Sequence, residues 1–253
     1  MKILKSILLL TCVLCFTVNL SQAQNKLYSV HVDYVKPSKI MEYEKIAKEF
    51  NAACEEHNPE TSWLTATTGD LRYMYVTPIK GMADLDKNPF KDMAEKMGDS
   101  FGDMFTRFNK CYDKHGDYLI VLDEDLTYMP DGVTQTPEGE NFRKFFFMYY
   151  TPENGAKLRE GMKAVKEMFA SKGSKSHYRV YRSAFGVTDS YYMVAISAKD
   201  EIAGATNAKA NDELLGPERY ETFNKVMNHI TKMEEVSGSI RPDLSYKHKK
   251  TTE

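Results

Sequence analysis

From Leu27 to Val35 the chain reads LYSVHVDYV, polar and apolar residues alternating with many β-branched and aromatic side chains, a period of two that predicts a strand. Pro37 ends the run and Ser38 can cap a helix after it. Ile40, Tyr43, Ile46, Ala47, Phe50 and Cys54 then recur at helical spacing, placing one apolar stripe on one face. Ser62 to Thr68 and Leu71 to Thr77 return to strand character around Gly69-Asp70, which reads as a hairpin. A helical region is predicted from about Pro89 to Lys114, carried by Phe90, Met93, Met97, Phe101, Met104, Phe105, Phe108 and Tyr112. Tyr118 to Leu122 predicts a closing strand.

The second half retraces this order. Lys144 to Tyr150 reads as a strand, Pro152 lies 115 positions after Pro37, and Leu158, Met162, Val165 and Phe169 form the next helical stripe. A hairpin comes next, from His177 to Ala184 and Ser190 to Ile196, where Tyr192-Met193 echoes Tyr73-Met74. After a looser region of short helices, Pro217 opens a helix with Tyr220, Phe223, Val226, Met227 and Ile230, and Val236 to Ile240 completes the set. Two short words repeat as well. Phe108-Asn109-Lys110 returns as Phe223-Asn224-Lys225, and DLTY at 125–128 returns as DLSY at 243–246, the latter two words lying just after the last strand of their units. Retention of DLTY and DLSY points to packing, the Asp capping a turn while Leu and Tyr are buried. The expected organisation is a first repeat over 24–128, a Pro, Gly and polar linker over 129–141 (MPDGVTQTPEGEN), a second repeat over 142–246, and a basic disordered tail over 247–253.

Each unit has the order β-α-β-β-α-β, which is the ferredoxin-like order. On that order and the repeated words, the chain resembles the dimeric α/β-barrel superfamily in a fused, tandem form. The resemblance implies an α+β fold of two ferredoxin-like repeats packed sheet to sheet around a central cavity. Its enzymatic precedents are the antibiotic-biosynthesis and haem-degrading monooxygenases, the latter using an Asn, Trp and His arrangement. Trp63 and His31 lie on predicted strands, but no Asn stands at the strand position the pattern expects, so haem is not carried over.

Strand alternation predicts the wall of that cavity. If helices cover Val30, Val32 and Tyr34, then Ser29, His31 and Asp33 face the other sheet. Extending the pattern gives a wall of His31, Asp33, Trp63, Thr65, Phe146, Met148, Tyr150, Arg179 and Tyr181, an aromatic lining with few polar groups such as small-molecule sites have. Within it His31 and Asp33 are the candidate catalytic pair, a carboxylate orienting an acid–base imidazole, and the other seven are candidate ligand-binding residues. The alternative is that Ser29, His31 and Asp33 form only the wetter face of a strand. His31 and Asp33 could supply two metal ligands, yet no third is placed, so neither a metal nor another cofactor is expected. His57, His115, His177 and His229 read as surface residues, and Met93, Met97 and Met104 as core. Cys54 and Cys111 align with Phe169 and Val226 and read as buried, reduced, small hydrophobes.

Composition adds a compartment and removes some partners. The opening MKILKSILLLTCVLCFTVNLSQAQ has the basic start, short apolar run and small residues of a secretory signal, with cleavage expected after Ala23 and the product exported to periplasm or extracellular space. Losing Lys2 and Lys5 takes the formal charge from −2 to about −4, which argues against nucleic acid as a partner. No later segment is apolar and long enough to span a bilayer. The expected function is an exported soluble protein binding a small apolar or aromatic molecule, with a homo-oligomer left open. The alternative is a cofactor-independent monooxygenase or isomerase using His31 with Asp33.

Overall fold

A computed structural model describes residues 26–133 and 136–249. The expected signal segment lies outside the described residues. The first unit comprises β1 (Lys26–Val35), α1 (Ile40–His57), β2 (Ser62–Thr68), β3 (Arg72–Ile79), α2 (Lys91–Met97), α3 (Asp99–Phe108) and β4 (Tyr112–Leu122). The second comprises β5 (Phe142–Tyr149), α4 (Gly155–Ser171), β6 (Tyr178–Ser183), β7 (Tyr191–Ala198), α5 (Glu201–Leu215), α6 (Arg219–Met227) and β8 (Lys232–Ile240), followed by the short β9 (Tyr246–Lys247). The region expected to hold short helices is thus the continuous α5, capped by Asp200 accepting from the backbone N–H of Ala203 at 2.8 Å. Among the described residues no helix is long and apolar enough to cross a membrane.

Within each unit the strands run antiparallel in the ferredoxin-like order, β2-β3-β1-β4 and β6-β7-β5-β8. The units do not simply stack. β4 pairs with β6 through Ile120, Val121 and Leu122, and β8 pairs with β2 through Gly238, Ser239 and Ile240, so eight strands close into one antiparallel barrel with the helices outside. At the second seam a side chain on residue 238 would run into the carbonyl of Thr67, which accounts for Gly238.

The barrel lumen is a packed core. Val30, Val32, Ala66, Met74 and Ile120 of the first unit meet Phe145, Phe147, Tyr191, Met193 and Ala195 of the second. This corrects the expected central cavity and inverts the facing of β1: Val30 and Val32 point inward, whereas His31 and Asp33 point outward beneath the helices. The reason is physical. The inside of an eight-stranded barrel is just wide enough for side chains to fill, and apolar and aromatic side chains fill it here, whereas α1 offers Asp33 the Tyr43 hydroxyl. Beneath the helices of the first unit, Tyr43, Ile46, Met104 and Phe108 pack on Tyr73, while in the second Leu158, Met162, Phe169 and Val226 pack on Met148 and Tyr192.

The DLTY and DLSY words have one job in two places. After the last strand of its unit, each crosses to the second strand of the other unit. Thr127 Oγ1 accepts from the N–H of Val180 and Ser245 Oγ from that of Thr65, both at 2.9 Å. Leu126 and Leu244 are fully buried, Tyr128 bridges to Tyr178, and Tyr246 pairs with Trp63 in the β2–β9 ladder. The tail expected to be disordered from residue 247 is held as far as Lys249, whose N–H donates to Asn58 Oδ1 at 2.9 Å. Each crossing also carries an ion pair. Asp123 is gripped by Arg159 of α4, and Arg241 by Glu44 of α1, at corresponding places with the charges exchanged. Cys54 and Cys111 are buried and free, the Cys54 thiol pushed up to about 12 by burial and the neighbouring Glu55 charge.

Candidate functional site

Each unit holds a cavity between its helices and its sheet. In the first unit the cavity is about 840 Å³, and aromatic rings dominate it: Phe50, Trp63, Tyr75, Phe90, Phe105 and Phe108. Ser29, His31 and Asp33 supply polar groups from β1, and Tyr43 adds another from α1. In the second unit the cavity is about 650 Å³ and includes Phe146, Met148, Val165, Phe169 and Phe223.

Adjacent antiparallel strands assemble the polar group of the first unit. His31 and Asp33, two apart on β1, share a face, and β4 sets Asp117 opposite His31 and His115 opposite Asp33. His31 Nδ1 lies 2.9 Å from Asp117 Oδ1, and its Nε2 lies 3.2 Å from Asp33 Oδ1. Asp33 is 4 % exposed, its Oδ2 accepting from the Tyr43 hydroxyl at 2.6 Å. That hydroxyl is 2.8 Å from Tyr75 Oη. Asp33 Oδ1 is buried, with the His31 ring nitrogen as its charge partner but no hydrogen bond of good alignment. The His115 ring lies edge-on to His31, with centroids 5.6 Å apart, and stacks on Tyr112.

Burial alone would lower the His31 pKa, but hydrogen bonding and charge from Asp33 and Asp117 outweigh it and raise the value to about 9. At neutral pH and without a competing cation His31 is therefore an imidazolium. Burial, together with the adjoining Tyr75 and Asp33, raises the Tyr43 phenol well above its ordinary value, so it remains a hydrogen-bond donor.

The nine residues expected to share one wall are dispersed. His31, Asp33 and Trp63 line the first cavity, and Phe146 and Met148 the second. Thr65 is fully buried, its hydroxyl donating to the Leu244 carbonyl at 2.7 Å, and the Trp63 indole donates to the same carbonyl at 3.0 Å. Tyr150 stacks on Tyr192 at 5.3 Å between centroids. Arg179 and Tyr181 flank the helix-facing Val180. Tyr181 joins the lumen core, packing edge-on to Tyr28, whereas Arg179 holds the linker through the carbonyl of Val133 and the hydroxyl of Thr136. Tyr43, Tyr75, His115 and Asp117 escaped the sequence reading. For His115 and Asp117 the cause is that β4 begins at Tyr112 and not Tyr118: its first residues are polar and exposed, and they resemble a helix end and loop until β1 is seen beside them.

Several solved structures share this fold at low sequence identity. An anthrone oxidase-like protein superposes with a TM-score of 0.57 at 12% identity, over 85% of this chain and 91% of its own. A chlorite dismutase variant from Candidatus Nitrospira defluvii gives 0.53 at 10% identity, over 86% and 92%. A Lactobacillus acidophilus protein provisionally assigned as a monooxygenase gives 0.51 at 9% identity, over 89% and 97%. The chain thus has the dimeric α/β-barrel fold, its two ferredoxin-like halves fused in tandem. No protein-family model matches it, and no curated protein matches it in sequence.

Proposed function

We propose that the protein binds a small apolar or aromatic molecule in the cavity of its first unit, with the polar end of that molecule directed at His31. The observation that carries this reading is the aromatic-lined space of about 840 Å³ with His31, Asp33 and Tyr43 in its wall. Aromatic area supplies affinity and the few polar groups supply orientation. Trp63 gives the test, being the only tryptophan of the chain and part of that wall. An aromatic probe such as anilinonaphthalene sulfonate should quench Trp63 saturably, and the widened gap of Phe105→Ala should alter its affinity. Probe binding that leaves Trp63 emission unchanged sinks the proposal.

A second reading, a cofactor-independent isomerase or monooxygenase, is favoured by the protonation of His31. An imidazolium held by two carboxylates is a poor base at neutral pH, but it can donate a proton to, or stabilise, an enolate-like anion of a bound molecule. Turnover that survives His31→Ala excludes it. The same proposal takes the chain as exported, cleaved after Ala23 and soluble; an intact mass beginning elsewhere by more than a few residues, or carrying lipid, overturns that part.

A further inference from the structure

The geometry points to a divalent transition-metal site in the first unit, formed by His31, Asp33 and His115, for an ion of the zinc and iron(II) class. This goes beyond cavity binding and does not depend on it. The side chains of the three residues place ligating atoms within 4.8 Å of one another. His31 Nε2 and Asp33 Oδ1 are already 3.2 Å apart, close to the roughly 3 Å that separates neighbouring ligands around an ion with bonds of ~2.1 Å. His115, exposed and on the facing strand, needs only a side-chain adjustment to complete the set.

Three features favour a metal over a simple ion pair. The first is the buried Asp33 Oδ1, whose charge partner is His31 Nε2 at 3.2 Å without an aligned hydrogen bond; an ion between the two atoms would satisfy both. The second is the division of labour around each ligand. Asp117 engages His31 Nδ1, leaving Nε2 for the ion, while Tyr43 engages Asp33 Oδ2, leaving Oδ1. Outer partners of this kind orient metal-bound imidazoles and carboxylates. The third is scaffold: the ligands come from paired positions on two adjacent strands of a closed barrel. Two imidazoles and one carboxylate suit zinc or iron(II) and leave further coordination positions open. Since His31 and Asp33 also line the cavity, a molecule bound there could occupy such a position.

The second unit is an internal control. At the same register it has Phe146, Met148 and Met233, which offer neither imidazole nor carboxylate, so one ion per chain is expected and not two.

The test uses the untagged mature chain, stripped with a chelator and titrated with Zn²⁺ alone by calorimetry and with Co²⁺ alone by visible absorption. One equivalent of each should bind, Co²⁺ giving ligand-field bands. His115→Ala, a change at an exposed position, should weaken Zn²⁺ at least ~100-fold and remove the Co²⁺ bands, and Asp117→Asn should weaken Zn²⁺ by roughly 10- to 100-fold. His229→Ala, in the other unit, should change nothing. Zn²⁺ binding that is undiminished in both His115→Ala and His31→Ala, or absent from the unsubstituted protein, overturns the site. Quenching of Trp63 by the aromatic probe in the stripped protein reads the cavity separately, so failure of one proposal is distinguishable from failure of the other.

Discussion

The two units share a fold but not a chemistry. His31, Asp33, Tyr43 and Tyr75 line the cavity of the first, and His115 and Asp117 stand beside them on β4. Strand register, and the repeat spacing for Tyr43, put Phe146, Met148, Leu158, Val194, Met233 and Glu235 in the corresponding places of the second. Five of the six exchanges turn a polar or charged group into an apolar one, and Glu235 turns to Lys144 instead, at 2.5 Å. Repeating strands and helices therefore preserves a scaffold while leaving the space beneath the helices open to change. The polar set of the first unit is the departure from an apolar filling that by itself satisfies packing, and it is where function is to be sought.

The largest effect expected from breaking this comparison is separation of the halves. Residues 24–128 alone would lose both β-seams and the Leu244 carbonyl that takes donors from Trp63 and Thr65, exposing the lumen core; they should aggregate or self-associate. A stable, well-dispersed monomer in size exclusion and NMR would count against the closed barrel. Next comes Met148→Asp, which copies Asp33 into the second unit without its tyrosine and histidine partners. Burying that carboxylate among Leu158, Tyr192 and Val180 should cost about 3–5 kcal/mol in chemical denaturation, with no gain in Zn²⁺ stoichiometry.

A smaller effect is expected at the mirrored ion pairs. Arg159→Glu would set a second carboxylate against buried Asp123 and should cost about 3 kcal/mol, most of it recovered in the double variant with Asp123→Arg. A double variant whose loss equals the sum of the losses of Arg159→Glu and Asp123→Arg would mean that the pair contributes no coupling. The smallest effect is the titration of His31, measured by NMR in chelator-treated protein. Its pKa should lie near 9 and fall in Asp33→Asn, whereas identical curves would dismiss the coupling. Because the folded value is raised, the stabilisation is fully present below the unfolded value of about 6.5 and is lost as pH rises through about 9.

Most elements of both units can be read from apolar periodicity, and the repeated words identify the duplication. Which way a strand faces cannot. Alternation tells inside from outside when one face of a sheet is wet, but here both faces of β1 are covered: Val30 is 1 % exposed and Asp33 is 4 % exposed. The polar residues were expected in the lumen and lie instead where helices provide donors such as Tyr43. The beginning of β4 was hidden for the opposite reason. Asp113, Lys114 and His115 are exposed, and without apolar alternation a strand that is held by its neighbour looks like a connection. One half of the polar site was thus visible from β1, and the half on β4 was not.

The exchanged charges of the crossing straps bear on how such asymmetry could arise. Two copies of the first unit would bring Asp123 against Glu44, and two copies of the second would bring Arg241 against Arg159, so each half fits its counterpart better than itself. A homodimer inherits every substitution twice and cannot place an imidazole–carboxylate cluster on the strands of one unit and apolar side chains at the same register of the other. Halves that are complementary and share one polypeptide meet in a ratio of one to one, which frees each pocket to specialise apart from its sibling.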